Sequence, residues 1–312
     1  MTGWLGVTAR HGRLLLVAGL VAGVTLPALA ERMAPFLPAL IGALLFLAVL
    51  RIGPAQMLGT LGDTWQSLRV IALLQLVVPM AICGLLAAFG ILNTPAGMAL
   101  ALLFAGAPLS GSPNLTILAG FDPKPALRLV ILGTALVPLT ALLVFWVLPG
   151  LSGGAAVVGS ALRLLAVIGG AAVLALAARK WLLPDPGQQA LAAIDGLSAI
   201  VMAVVVVALM SAVGPLLLSA PQALVGWMAL AFAANIGAQI VTAGVMRAVG
   251  AGDESVPVAI VAGNRNVALF LVSLPPSEAA ELLIFIGCYQ VPMYLTPLLM
   301  PRFYRCVARR SG

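Results

Sequence analysis

Charged side chains are scarce in this chain. Only 8% of its 312 residues are charged, whereas a soluble domain has about 25%. Hydrophobic residues make up 62% of the sequence, and the mean hydropathy is +1.17. This composition excludes a soluble protein and predicts an all-α, polytopic membrane protein with the lipid bilayer as its surroundings.

Residues that could act in catalysis, proton transfer or metal binding are also rare. All nine acidic residues fall at the ends of apolar segments or between them: Glu31, Asp63, Asp122, Asp185, Asp195, Asp253, Glu254, Glu278 and Glu281. No carboxylate is therefore available inside the bilayer to carry a proton, which disfavours a proton antiporter built on buried aspartates. The one histidine, His11, and the three cysteines show no metal-site spacing. We expect no enzyme, no metal and no resident cofactor.

The basic residues indicate topology and do not form a nucleic-acid surface, although the net charge is +7. With the N-terminus in the cytoplasm, thirteen of them lie on the cytoplasmic side: Arg10, Arg13, Arg51, Arg69, Lys124, Arg128, Arg179, Lys180, Arg247, Arg302, Arg305, Arg309 and Arg310. Arg32 and Arg163 lie outside, and Arg265 lies within a span. This asymmetry predicts that both termini lie in the cytoplasm. We expect the membrane to be a bacterial inner membrane.

The apolar segments are long enough for ten membrane spans. They are predicted at 12–30, 35–51, 69–89, 96–120, 126–148, 158–179, 197–218, 223–247, 255–274 and 280–300. The third, fourth and fifth spans correspond to the eighth, ninth and tenth, about half the chain later. We therefore predict two inverted repeats of five helices, at 1–150 and 151–312, which form one transporter domain.

The first span has a second interpretation. Arg10 and Arg13 precede an apolar run that ends in Ala28-Leu29-Ala30, which is typical of a cleavable signal peptide. Cleavage would leave nine spans and unequal halves, so the repeat favours a retained span.

Two polar sequences interrupt apolar spans at matching places in the two halves. The first runs from Ala107 to Asn114 and contains Pro108, Gly111 and Pro113, so its backbone can unwind and free polar groups. Ser110, Ser112 and Asn114 are its candidate binding residues. A proline kink without a ligand is the alternative for this span alone.

The second interruption is Gly263-Asn264-Arg265-Asn266. An arginine in the middle of a span costs about 3 kcal/mol to insert, so it is rarely present without a role. Because the three polar residues are consecutive, they point around a helix, and only an unwound backbone lets all of them reach one cavity. We predict that Asn264, Arg265 and Asn266 bind substrate; the alternative is that Arg265 only braces the opposing broken helix.

These sequences resemble the bile acid:sodium symporter family and its wider bile, arsenite and riboflavin transporter superfamily. Gln75 followed by Pro79 is similar to the family's Gln…Pro pattern, and the stretch that ends at Asn114 is similar to its Gly/Ser-rich turn. Residues 261–266 are similar to its Glu-x-Gly-x-Gln-Asn motif. The resemblance covers nearly the whole chain. It implies ten helices in two inverted repeats, with the fourth and ninth helices broken and crossing.

The departures from the family pattern concern sodium. The family's sodium-site glutamate falls at Val261 and its glutamine at Arg265, and a site serine falls at Pro113. Two hydroxyl ligands align loosely with Arg128 and Leu132. Gln75, Asn114 and Asn266 remain. Because arginine offers no acceptor to a cation, we expect at least one sodium site to be lost. The guanidinium of Arg265 would replace that ion and bond Gln75 and the carbonyls of the crossing helix.

The sequence therefore predicts a secondary transporter of a small organic anion that works by alternating access, with doubtful sodium coupling. A second arrangement has Arg265 facing the cavity and pairing with the anion directly. The alternative functions are a proton-linked or sodium-independent exporter of the same fold, and a membrane ligand sensor that does not transport.

Overall fold

The computed structural model describes residues 5, 8, 11–59, 64–148 and 154–309. Arg10, Asp63 and Arg310, and the predicted boundary between the two repeats at 150, lie outside these residues. Apart from two strands of two residues each, the regular structure in the described ranges is helical.

The helices of the first half follow the apolar segments. They are α1 Gly12–Thr25, α2 Pro27–Met33, α3 Leu37–Gly59, α4 Thr64–Ala72, α5 Val78–Ala88, α6 Pro95–Ala105, α7 Ser112–Ala119 and α8 Lys124–Val147. A π-helical turn, Leu73–Val77, joins α4 to α5 without a break in the chain direction. The strand β1, Ala107–Pro108, lies between α6 and α7.

The second half is also mainly helical. Its helices are α9 Gly154–Trp181, α10 Gln188–Leu209, α11 Val213–Ser219, α12 Pro221–Ala248, α13 Ser255–Gly263, α14 Pro276–Leu299 and α15 Pro301–Arg309. The strand β2, Arg265–Asn266, follows α13, and a 3₁₀ helix, Val267–Val272, follows β2. The interruption between α10 and α11, at residues 210–212, was not predicted from the sequence.

Seven helical segments of the described chain are long and apolar enough to cross a bilayer, and two more are apolar but shorter. The chain is thus an all-α integral membrane protein. The two shorter helices are the last part of α1 and the whole of α6. Helix α6 is short because its span is divided: it ends at Ala105, and the chain continues as a helix only at Ser112.

Local chemistry explains where this divided span begins and ends. The hydroxyl of Thr94 accepts a hydrogen bond from the backbone N–H of Gly97, which caps the start of α6. Pro108 cannot continue a helical ladder because it has no N–H, so the helix stops before it. Helix α7 ends at Gly120, whose φ of 87° is readily adopted only by glycine.

The helices pack in two groups. Helices α1, α2, α3, α9 and α10 contact mainly one another and form the first helix group. Helices α4 to α8 and α12 to α15 form the second helix group. The two groups meet where α8 packs on α9, where α10 packs on α14, and where the 3₁₀ helix packs on α3 and α9. Helix α13 is buried over its whole length within the second group. Both interrupted segments therefore belong to the second group.

Candidate functional site

The two interruptions predicted from the sequence lie against each other. β1 and β2 pair antiparallel, with Ala107 opposite Asn266 and Pro108 opposite Arg265. The N–H of Leu109 also donates to the carbonyl of Asn264 over 2.9 Å. Backbone groups that leave a helix inside a bilayer need partners in the protein, and here each broken segment supplies partners to the other.

Arg265 is the largest buried polar side chain in the described chain, with only 2% of its surface exposed. Its Nη1 donates to the carbonyl of Gly106 at 3.2 Å, and its Nη2 donates to the carbonyl of Leu74 at 2.8 Å. Nε has no hydrogen-bond partner. The guanidinium thus joins the end of α6 and the π-helical turn to the break after α13.

The π-helical turn explains why the carbonyl of Leu74 is available. In this turn the N–H of Val78 bonds the carbonyl of Leu73, five residues back, and not that of Leu74. The next N–H in the same pattern would come from residue 79, but that residue is Pro79, which has none. The carbonyl of Leu74 is left without a helical donor and accepts from Arg265 instead.

Gln75 does not receive the hydrogen bond that the sequence predicted from Arg265. Its Nε2 donates to the carbonyl of Gly133 at 3.1 Å, and its Oε1 faces the hydroxyl of Thr140 at 3.5 Å. The side chain is 1% exposed. Gln75 therefore fixes the π-helical turn against α8, while the neighbouring main chain contacts Arg265.

A network of buried polar side chains surrounds the other side of the break after α13. The carbonyl of Gly263 accepts from both Tyr289 Oη and Asn235 Nδ2. Asn235 Oδ1 accepts from Gln239 Nε2 at 2.7 Å, and Gln239 Oε1 accepts from the hydroxyl of Tyr304. These side chains hold the C-terminal end of α13 in place.

Asn264 and Thr296 complete this network. Asn264 Oδ1 faces Asn235 Nδ2 at 3.3 Å and the Thr296 hydroxyl at 3.4 Å, and Asn264 Nδ2 donates to the carbonyl of Ile260. Asn264 is fully buried, so it acts as a structural residue of the break and does not reach the cavity described next. The sequence interpretation missed the network, although Asn235 and Gln239 are four apart and so share one face of an apolar helix.

A cleft of about 560 Å³, open side included, lies between the two helix groups, and β2 together with the two residues that follow β1 forms part of its wall. Its lining is mostly apolar, with Ser110, Asn266, Gln290 and Arg265 as the polar members. The remaining lining residues are Ile41, Leu44, Leu45, Leu109, Met202, Val205, Leu209, Val267, Ala268 and Met293. An apolar wall with a few polar groups is typical of a small-molecule site.

The cleft gathers three of the predicted site residues: Ser110, Arg265 and Asn266. Ser112 is fully buried and does not line the cleft, and its hydroxyl has no hydrogen-bond partner among the described residues. Asn114 is exposed on α7 and is not part of the cleft wall. A smaller space, about 300 Å³, is lined by Pro95, Met98, Ala99, Leu102, Leu148, Leu274, Glu278 and Leu282, none of which is a predicted site residue.

The positions that resemble sodium ligands have other partners here. Val261 is fully buried in an apolar cluster with residues such as Val258 and Leu129. Arg128 Nη2 lies 2.7 Å from a carboxylate oxygen of Glu254, in a partly buried ion pair. Within the described residues, no group of three or more His, Cys, Asp or Glu side chains has the arrangement of a metal site.

No model of a known protein family matches the chain, and no curated protein matches it. Function is therefore argued from the site alone. The site consists of two interrupted helices that pair by their backbones, an arginine that joins them to the π-helical turn between α4 and α5, and a cleft on one side of the pair.

Proposed function

We propose that this protein is a secondary transporter that moves a small organic anion across the membrane by alternating access. The observation that carries the proposal is the position of the paired breaks in the wall of a cleft between two helix groups. Interrupted backbone inside a bilayer is tolerated where it lines a cavity or is buried in protein, and transporters place substrate sites at such breaks. Movement of the first helix group against the second would expose the cleft to each side in turn.

The proposed architecture has ten spans in two inverted repeats, with the broken fourth and ninth helices crossing. The pairing of β1 with β2 supports it, because these strands occur at corresponding places in the two halves of the chain. This arrangement is that of the bile acid:sodium symporter family, which the sequence resembles. The same proposal puts the protein in a bacterial inner membrane with both termini cytoplasmic, since thirteen basic residues favour that side.

The substrate is proposed to be an anion because of the charge balance near the cleft. Arg265 has no carboxylate among its hydrogen-bond partners in the described chain, and every acidic residue of the sequence lies near a span end or in a loop. An uncompensated buried cation makes the potential of the cleft positive, which favours a negatively charged ligand.

Transport is proposed to be independent of sodium. Arg265 already supplies a positive charge to the carbonyls of Leu74 and Gly106, and a bound cation would stabilise these carbonyls in the same way. Val261 and the Arg128–Glu254 ion pair leave no free oxygen ligands at two further positions of the family pattern. Sodium is thus not expected as a cofactor.

The test is uptake of radiolabelled organic anions by proteoliposomes, in sodium and again in choline, with protein-free liposomes as the control. Thermal shifts measured in the two salts would first select the anions that bind. Equal uptake in both salts supports the proposal, and uptake that requires sodium contradicts its ion-independent part. Uptake driven only by a pH gradient would indicate a proton-linked carrier, and binding without uptake would indicate a ligand sensor.

A further inference from the structure

One polar side chain of the cleft, that of Gln290, makes no hydrogen bond within the described protein. Gln290 lies on α14, lines the cleft and is only 6% exposed. It has no hydrogen-bond partner in the described part of the chain. Its carboxamide oxygen and nitrogen each keep some accessible surface. The carboxamide therefore reaches the space of the cleft.

The carboxamide adds no internal hydrogen bond to the fold and is available to a ligand in the cleft. A glutamine offers two donors and an acceptor with two lone pairs, and a ligand that enters the cleft must supply partners for these groups or leave them unpaired. Its neighbour Tyr289 shows the opposite arrangement, because that hydroxyl is fully engaged with Gly263 and with the N–H of Arg265. Nearby cleft residues such as Met293 and Leu45 are apolar and offer Gln290 no partner.

We propose that Gln290 binds an uncharged hydrogen-bonding group of the substrate, a hydroxyl or an amide. This inference rests on the proposed function and narrows its substrate class to organic anions that carry such a group, such as hydroxy acids and N-acyl amino acids. A hydroxyl or secondary amide can both donate to Gln290 Oε1 and accept from its Nε2. A carboxylate only accepts, so it would leave Oε1 unpaired beside negative oxygen atoms.

In this proposal the anionic end of the substrate binds near Arg265, Ser110 and Asn266. Arg265 provides the positive potential there, and Ser110 and Asn266 provide neutral hydrogen-bonding groups beside it. Gln290 then distinguishes between anions of equal charge and similar size. Sites that hydrogen-bond a substrate hydroxyl strongly reject the analogue that lacks it, because their own polar group is left unpaired.

The test compares Gln290→Leu with the wild type and with Gln222→Leu, a matched control at an exposed position of α12. The probes are hexanoate and octanoate, each against its 3-hydroxy derivative, and N-acetylnorleucine. The first readout needs no ligand. Replacing a carboxamide that makes no internal hydrogen bond by an apolar group of similar size should leave the apparent Tm of the empty protein unchanged or raise it by up to about 3 °C.

The second readout is competition in proteoliposome uptake. The wild type and Gln222→Leu should prefer the hydroxylated or acylated anions by at least about 10-fold, and Gln290→Leu should lose that preference. A lower Tm for Gln290→Leu, or failure of this variant to fold, would overturn the inference by showing a structural role. Uptake with the same preference in all three proteins would overturn it while leaving the proposed function intact. Absence of any anion uptake by the wild type would overturn both.

Discussion

Arg265 Nη2 donates to the carbonyl of Leu74, which lies 191 positions earlier in the chain, over 2.8 Å. With the bond to Gly106, this contact makes one guanidinium the link between the two interrupted segments and the π-helical turn. Removing it should therefore affect stability, ion response and anion binding in different ways.

We expect Arg265→Gln to lower the free energy of unfolding by about 3 kcal/mol or more, because charge-assisted hydrogen bonds contribute about 1.5–3 kcal/mol each. If Arg265 replaces a cation, sodium should raise the Tm of this variant and not that of the wild type. Thermal unfolding in sodium and in choline measures both effects, with Arg163→Gln as the control at an exposed position.

The two proposed roles of Arg265 give different results for the same variant. Regained sodium sensitivity supports replacement of an ion. Loss of anion binding without any response to sodium supports direct contact with the substrate. An unchanged Tm in both salts would contradict the bracing contacts themselves.

Two tyrosines of α14 make a matched pair for the polar network. Tyr289 Oη donates to the carbonyl of Gly263, whereas the buried hydroxyl of Tyr294 has no partner. Tyr289→Phe should cost about 1 kcal/mol of stability, and Tyr294→Phe should be neutral or slightly stabilising. Thermal unfolding of both variants in one detergent provides the comparison, and equal losses would mean that the network does not support the break.

Gly263 is needed where α13 meets α12. A Cβ there would overlap the carbonyl oxygen of Asn235 and the side chain of Gln239, whereas a Cβ at Gly237 meets nothing within 4 Å. Gly263→Ala should destabilise the protein by about 1–3 kcal/mol because the helices must separate. Gly237→Ala should gain about 0.5–1 kcal/mol from its higher helix propensity. Folded yield and Tm check the pair, and tolerance of Gly263→Ala would contradict the close packing.

The proposed orientation can be tested with a native cysteine. Cys306 is exposed on α15, while Cys83 and Cys288 are buried. A membrane-impermeant maleimide should label Cys306 in inside-out vesicles and leave it unlabelled in intact spheroplasts. Cys306→Ser should remain unlabelled in both. Labelling in intact spheroplasts would reverse the proposed topology.

The two paired interruptions, at β1 and β2, were predictable because they follow from local chemistry. Pro108 and Gly111 cannot continue a helix at low cost, and three consecutive polar residues around Arg265 cannot share one helix face. The contact between these two breaks depends on tertiary structure and joins residues far apart in the sequence. The sequence suggested it only through their corresponding positions and the family resemblance.

The partners of Arg265 were less predictable. The sequence indicated Gln75 and the carbonyls of the crossing helix. Nη1 does bond such a carbonyl, that of Gly106, but Nη2 bonds the main chain of Leu74, because a π-helical turn and Pro79 together free that carbonyl. Side-chain patterns do not show where a helix changes its hydrogen-bonding period. Gln290 was missed for a related reason, since a single glutamine in an apolar helix gives no sign of whether it is paired.

The pairing of β1 with β2 also bears on how the chain is made. During synthesis the first broken segment enters the membrane well before Arg265, 159 positions beyond Gly106, leaves the ribosome. Until then the N–H of Leu109 and the carbonyl of Gly106 lack their final partners, and bare lipid does not solvate them. We therefore expect the first broken segment to stay in contact with water or with the insertion machinery until α13 and β2 have been made. Assembly of the interior is therefore completed late in synthesis. We expect the cell to degrade a chain truncated before residue 265.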